Sequence, residues 1–155
     1  MHSNIAAFII ERRRISVAVF IDERLDFTGS RQLPSHYSKA HDSAVRYVDW
    51  IRRNFHIRGV ALEEGRADPK QWKSQLRKEI ISQFRGTGVP ISEVDKKLLI
   101  SSFAHPPLRY RTQLRKVISS IWPILATEDN HGSCLDAAAL GLYVQVERIF
   151  APKNQ

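Results

Sequence analysis

Asn-Ile-Ala-Ala-Phe-Ile-Ile-Glu-Arg-Arg-Arg-Ile-Ser-Val-Ala-Val-Phe, residues Asn4 to Phe20, is the stretch whose reading decides the fold. Two apolar runs, Ile5–Ile10 and Ile15–Phe20, flank the charged stretch Glu11–Arg14. Each run is rich in β-branched or aromatic residues and too short for an independent helix, so together they predict a β-hairpin central to a sheet. Asp22-Glu23-Arg24 then predicts a second turn, and Asp26–Leu33 a third, weaker strand that Pro34 ends. The chain therefore opens with three consecutive antiparallel strands.

From about Lys39 the period changes. Ala44, Val48, Ile51 and Phe55, with Val45, fall on one helical face, with Asp42 or Ser43 as its cap and Arg58-Gly59 as its end. Val60-Ala61-Leu62 is a short buried strand ending in Glu63-Glu64. Asp68-Pro69 signals a helix start, and Trp72, Leu76, Ile80 and Phe84 follow at spacing four until Gly86 and Gly88 stop the helix. Val89-Pro90-Ile91 predicts a strand, and Ser92-Glu93-Val94-Asp95 a capping box opening a short helix through Phe103. A basic helix is expected from about Leu108 to Trp122, with Pro123 at or just past its end. Ala126–Gly132 reads as a loop, and Ser133-Cys134-Leu135-Asp136 as the cap of a last helix, Leu135–Phe150. The order is that of one α/β domain over residues 1–155: a mixed sheet covered by helices on both faces.

The charge balance narrows the partners. Lys and Arg number 24 against 16 Asp and Glu, a formal charge of +8. From Arg66 to Lys116 there are 12 basic and 4 acidic residues, so this excess is concentrated. Such a surface suits a polyanion, with nucleic acid as the first expectation. Arg12, Arg13, Lys70, Lys73, Arg77, Arg109, Arg111, Arg115 and Lys116 are the candidate phosphate contacts. The single cysteine, Cys134, excludes an internal disulfide and a cysteine-based zinc cluster, and reads as a packing residue. No apolar run approaches the roughly 18–20 residues that cross a bilayer, and no secretory leader is apparent. A cytoplasmic protein without a membrane partner is expected.

Three carboxylates lie where chemistry could use them. Glu63 follows a buried strand, Asp136 lies in the first turn of a helix, and Glu11 ends the first strand. Acids converging at strand ends can hold Mg²⁺ or Mn²⁺, and a metal pair roughly 3.5–4 Å apart can hydrolyse phosphodiesters. Each also has a plain structural reading: Asp136 as a helix cap, Glu63 with Glu64 as a solvated pair, Glu11 as surface charge. His131, in the loop before Asp136, is a candidate ligand or general acid, or a loop residue with no role.

The order of elements and two short stretches resemble the ribonuclease H-like superfamily, and within it the RuvC-type Holliday junction resolvases. Val60-Ala61-Leu62-Glu63-Glu64 is similar to the family's fourth strand, whose end carries a catalytic glutamate, here Glu63. Asp136-Ala137-Ala138-Ala139-Leu140-Gly141-Leu142 is similar to its last helix, which begins with a catalytic aspartate, here Asp136. The resemblance runs over about residues 4 to 150. It implies a five-stranded mixed sheet of three antiparallel strands followed by parallel ones. It also implies Mg²⁺ or Mn²⁺ on Glu63 and Asp136, with Glu11 or His131 assisting, and cleavage of branched or structured DNA by a homodimer.

The chain departs from that pattern in two places. The family's first strand carries a metal-binding aspartate, and here Ile9 takes its position; Glu11 shares the side-chain face but is displaced by roughly 6–7 Å along the strand. The family has an acid or histidine one turn before the last aspartate, and here that residue is Ser133. Three functions follow as alternatives: a RuvC-like metal-dependent endonuclease, a catalytically inactive module of the same fold that binds nucleic acid or a partner protein, or a ribonuclease H-like module of another branch, for example one acting on RNA.

Overall fold

The computed structural model describes residues 4–65, 72–128 and 132–150, the side chains of residues 72, 127, 128 and 148–150 excepted. Three strands come first: β1 (Asn4–Glu11), β2 (Arg14–Ile21) and β3 (Arg24–Gln32). Arg12-Arg13 joins β1 to β2, with Glu11 opposite Arg14. Asp22-Glu23 joins β2 to β3, and both residues have positive φ, 48° and 72°. That is the left-handed pair a two-residue hairpin turn requires to match strand twist. The helix α1 (Tyr37–Phe55) and strand β4 (Gly59–Glu63) follow, then α2 (Trp72–Arg85), β5 (Ile91–Val94), α3 (Lys96–Ser101), α4 (Arg111–Ile121), α5 (Pro123–Glu128) and α6 (Ser133–Phe150).

The sheet order is β3-β2-β1-β4-β5. β1 lies at the centre, antiparallel to β2 and parallel to β4, and β4 is parallel to β5. The expected mixed five-stranded sheet is therefore present. Its central position explains the unbroken apolar run of β1, since a strand covered on both faces has no polar side. Ala6, Phe8, Val17 and Leu62 pack under α1 and α2, among Val48, Ile51, Leu76, Ile80 and Phe84. Ile5, Ala7, Ile9, Ala18, Phe20 and Ala61 form the opposite face, under α4 and α6.

Several boundaries differ from the sequence reading. α1 begins at Tyr37, before Asp42 and Ser43, and ends at His56 in the left-handed conformation rather than at Arg58-Gly59. Gly59 instead starts β4. Ser92-Glu93-Val94 does not open a helix: it pairs with β4 as β5, and Asp95 alone caps α3 by accepting from the Leu98 N–H at 3.2 Å. Strand pairing along Ala61–Glu63 outweighed the local capping pattern. α4 starts at Arg111, not Leu108, because Tyr110 is its extended N-cap residue and Gln113 Oε1 accepts from the backbone N–H of Arg109 and Tyr110. Pro123 lies just past the end of α4, as expected, and opens α5, which takes up part of the expected loop. The Asp68-Pro69 start signal lies outside the described residues. No described helix is long and apolar enough to cross a membrane.

The placement of α6 depends on small residues. Ala137, Ala138 and Ala139 are buried in the core that holds the sheet's alanines, and Gly141 lies against Phe20 and Ala7, so the helix lies close to β1 and β2. A Cβ on Gly141 would fall 2.4 Å from the Phe20 ring. Gly141→Ala should therefore cost about 1–3 kcal/mol through overpacking, read as a lower melting temperature. A second prediction concerns alkaline pH. Burial pushes the Tyr47 hydroxyl up to about 12. Its neutral form is thus favoured by folding, and that stabilisation is whole below about pH 10 and is lost as pH rises towards 12. Tyr47→Phe should lose less stability than the wild type over that window in pH-dependent chemical denaturation.

Candidate functional site: an arginine clasp at the strand ends

Glu63 ends β4 with its side chain on the same face as Ala61, towards α6. Asp136 lies in the first turn of α6 and is 2% exposed. The Asp136 N–H donates to the Gly132 carbonyl, which starts the helix. The fold thus brings together the two acids expected from the sequence, one from each side of the chain's midpoint.

What joins them is an arginine. Arg111 Nη2 donates to Glu63 Oε1 at 2.8 Å, and its Nη1 pairs with Asp136 Oδ2 at 3.0 Å. Arg115, one turn later on α4, grips Asp136 with two donors: Nε to Oδ1 at 3.0 Å and Nη2 to Oδ2 at 2.7 Å. A parallel two-point arginine–carboxylate pair is the strong form of this contact. Burial alone would lower the Arg111 pKa, but the charges of Asp136 and Glu63 outweigh it and raise the value, so this guanidinium stays charged. Arg115 lies across Gly132, where φ is +73° and an added Cβ would fall 2.6 Å from the guanidinium carbon. Gly132 thus meets two demands, a left-handed backbone and room for the arginine.

The other members of the expected site are neutral or elsewhere. Ile9 is buried in the α6-side core. Across the β1–β2 ladder it faces Ser16, whose hydroxyl donates to Ser133 at 2.7 Å, both residues being fully buried. The positions that lack acids are therefore filled by an apolar side chain and a satisfied hydroxyl pair. Glu11 ends β1 opposite Arg14 in the β1–β2 ladder. His131 lies outside the described residues, as does Lys70. Among the described residues no three His, Cys, Asp or Glu side chains come together as a metal centre would need. Two carboxylates already matched by two guanidinium groups do not fit a divalent cation: the space between them is taken and their charge is compensated.

The candidate phosphate contacts divide into two groups. Arg111 and Arg115 face inward to the acids, and Arg77 pairs with Glu93 at 2.8 Å while its Nε donates to the Glu63 carbonyl at 3.3 Å. Arg12, Arg13, Lys73, Arg109 and Lys116 are exposed. Lys96 and Lys97, within the basic stretch but not singled out in it, are exposed too, and with Arg109 they line an open groove of about 670 Å³ together with Leu98, Ile100 and Leu108. The inward turn of the two arginines had a signal in the sequence. Arg111, Leu114, Arg115 and Ile118 fall at i, i+3, i+4 and i+7, the spacing of one buried helical stripe, and Leu114 and Ile118 are fully buried.

No family model and no curated protein matches the chain at the sequence level. Solved structures do. RuvC of Thermus thermophilus superposes with a TM-score of 0.73 at 14% identity, over 94% of this chain and 95% of that one. The same protein in complex with a Holliday junction substrate gives 0.73 at 12% identity, over 97% of each chain. The yeast mitochondrial Holliday junction resolvase Ydc2 gives 0.65 at 10% identity, over 96% of this chain and 84% of that one. Sheet order, helix placement and these superpositions agree: the chain has the RuvC-like form of the ribonuclease H fold.

Proposed function

We propose that the chain binds branched or structured nucleic acid, DNA first, without cleaving it. The observation that carries this reading is the sign of charge at the strand ends. Metal-dependent cleavage needs carboxylates open to a cation. Here Glu63 and Asp136 are matched by Arg111 and Arg115, so the face no longer repels a phosphate backbone. Beside it lie cations that pair with no carboxylate among the described residues: Lys96, Lys97 and Arg109 around one groove, and Lys116 on α4. Backbone phosphates are the natural partner of such a surface, with little readout of base sequence. The structural likeness to a RuvC bound to a Holliday junction supports a branched substrate. The nuclease reading keeps the same fold but requires a metal where the guanidinium of Arg111 lies.

Fluorescence anisotropy with a labelled four-way junction tests the binding. Affinity should fall steeply with salt, and Lys96→Ala/Lys97→Ala/Arg109→Ala should weaken it at least about tenfold and flatten the salt slope by roughly 2–3, near 0.9 per lost phosphate contact. Absence of binding at low salt would sink the proposal. The junction should stay intact in Mg²⁺ or Mn²⁺; cleavage abolished by Glu63→Gln would restore the nuclease reading.

A further inference from the structure

The clasp has the form of an exchange of one cation for another. One planar guanidinium, that of Arg111, is shared by an acid from a strand end and an acid from a helix start. Neither acid owes its position to the arginine alone. Glu63 is fixed by parallel pairing of β4 with β5, where it faces Val94. Asp136 is fixed by α6, whose small residues set it close to the sheet. Two hard oxygen donors on rigid elements, with water completing the shell, are the kind of partial site that Mg²⁺ or Mn²⁺ accepts. Ile9 and the Ser16–Ser133 pair, which stand where further ligands were expected, add no charge.

We propose that Arg111, assisted by Arg115, is a covalently supplied substitute for a divalent cation, and that Glu63 and Asp136 become a Mg²⁺ or Mn²⁺ site when both guanidinium groups are removed. This rests on the reading of the strand ends as filled by arginine. In the wild type the positive charge is part of the chain, so neither the stability nor the shape of the site depends on divalent cations. In the variant two carboxylates, one of them buried, face each other without compensation. They repel until a cation enters.

The test uses the full chain, wild type and Arg111→Ala/Arg115→Ala, with the free-Mn²⁺ electron paramagnetic resonance signal and thermal melting as readouts. The wild type should take up no Mn²⁺ at this site, and millimolar Mn²⁺ should leave its melting temperature where it is. The double variant should melt several degrees lower, bind about one Mn²⁺ per chain, and regain much of the lost melting temperature as it does so. Adding Glu63→Gln should remove both the uptake and the recovery. If the double variant is unfolded alone, folding on addition of Mn²⁺ supports the exchange. Three results overturn it: a folded double variant that takes up no Mn²⁺, a double variant unfolded with Mn²⁺ as without it, or wild-type uptake that Glu63→Gln abolishes. Junction binding is measured separately on the wild type, so failure of the binding reading and failure of this one are told apart.

Discussion

A carboxylate buried as deeply as Asp136 must be matched by positive charge and hydrogen bonds, and that requirement shapes one whole end of the molecule. Asp136 is buried because α6 lies close to the sheet, and α6 lies close because it presents alanines and Gly141 to the alanines of β1, β2 and β4. The partners come from α4, which puts Arg111 and Arg115 one turn apart on its inner stripe beside Leu114 and Ile118. Glu63 then completes the charge balance from the end of β4. Helix packing, charge pairing and the left-handed backbone of Gly132 are thus parts of one solution.

The architecture was legible from local pattern. Short β-branched runs with charged turns give the hairpin, and the spacing of Leu76, Ile80 and Phe84 gives α2, because burial on one face imposes those periods. Where the expectations missed, a non-local partner had overruled a local signal. Ser92-Glu93 carries capping residues, yet its backbone groups found β4. His56 takes a conformation usually left to glycine at the end of α1. The two acids of the site were also within reach, since both lie at element ends. The two arginines were read as phosphate contacts because net charge along a segment does not say which way each cation points. Only their coincidence with the apolar stripe of α4 carried that information.

The fold and the chemistry of its site are separable here. The superpositions cover nearly the whole chain at 10–14% identity, so the backbone arrangement is shared where most side chains differ. Ile9 stands where an aspartate was expected and Ser133 where an acid or histidine was, and the two acids present are each met by arginine. The ribonuclease H fold tolerates this because its core rests on the packing of α1, α2 and α6 against the sheet, not on the polar groups at one edge.

The buried hydroxyl pair of Ser16 and Ser133 has a consequence for how the molecule assembles. Ser16 and Ser133 are separated by 117 residues and are both sealed from water. A chain growing from its N-terminus can pair β1, β2 and β3 early, since their contacts are local. The face of β2 that holds Ser16 remains uncovered, its hydroxyl served by solvent, until α6 has been made. The opening hairpin is therefore finished by the last helix, and the same closing step brings Asp136 to the arginines of α4.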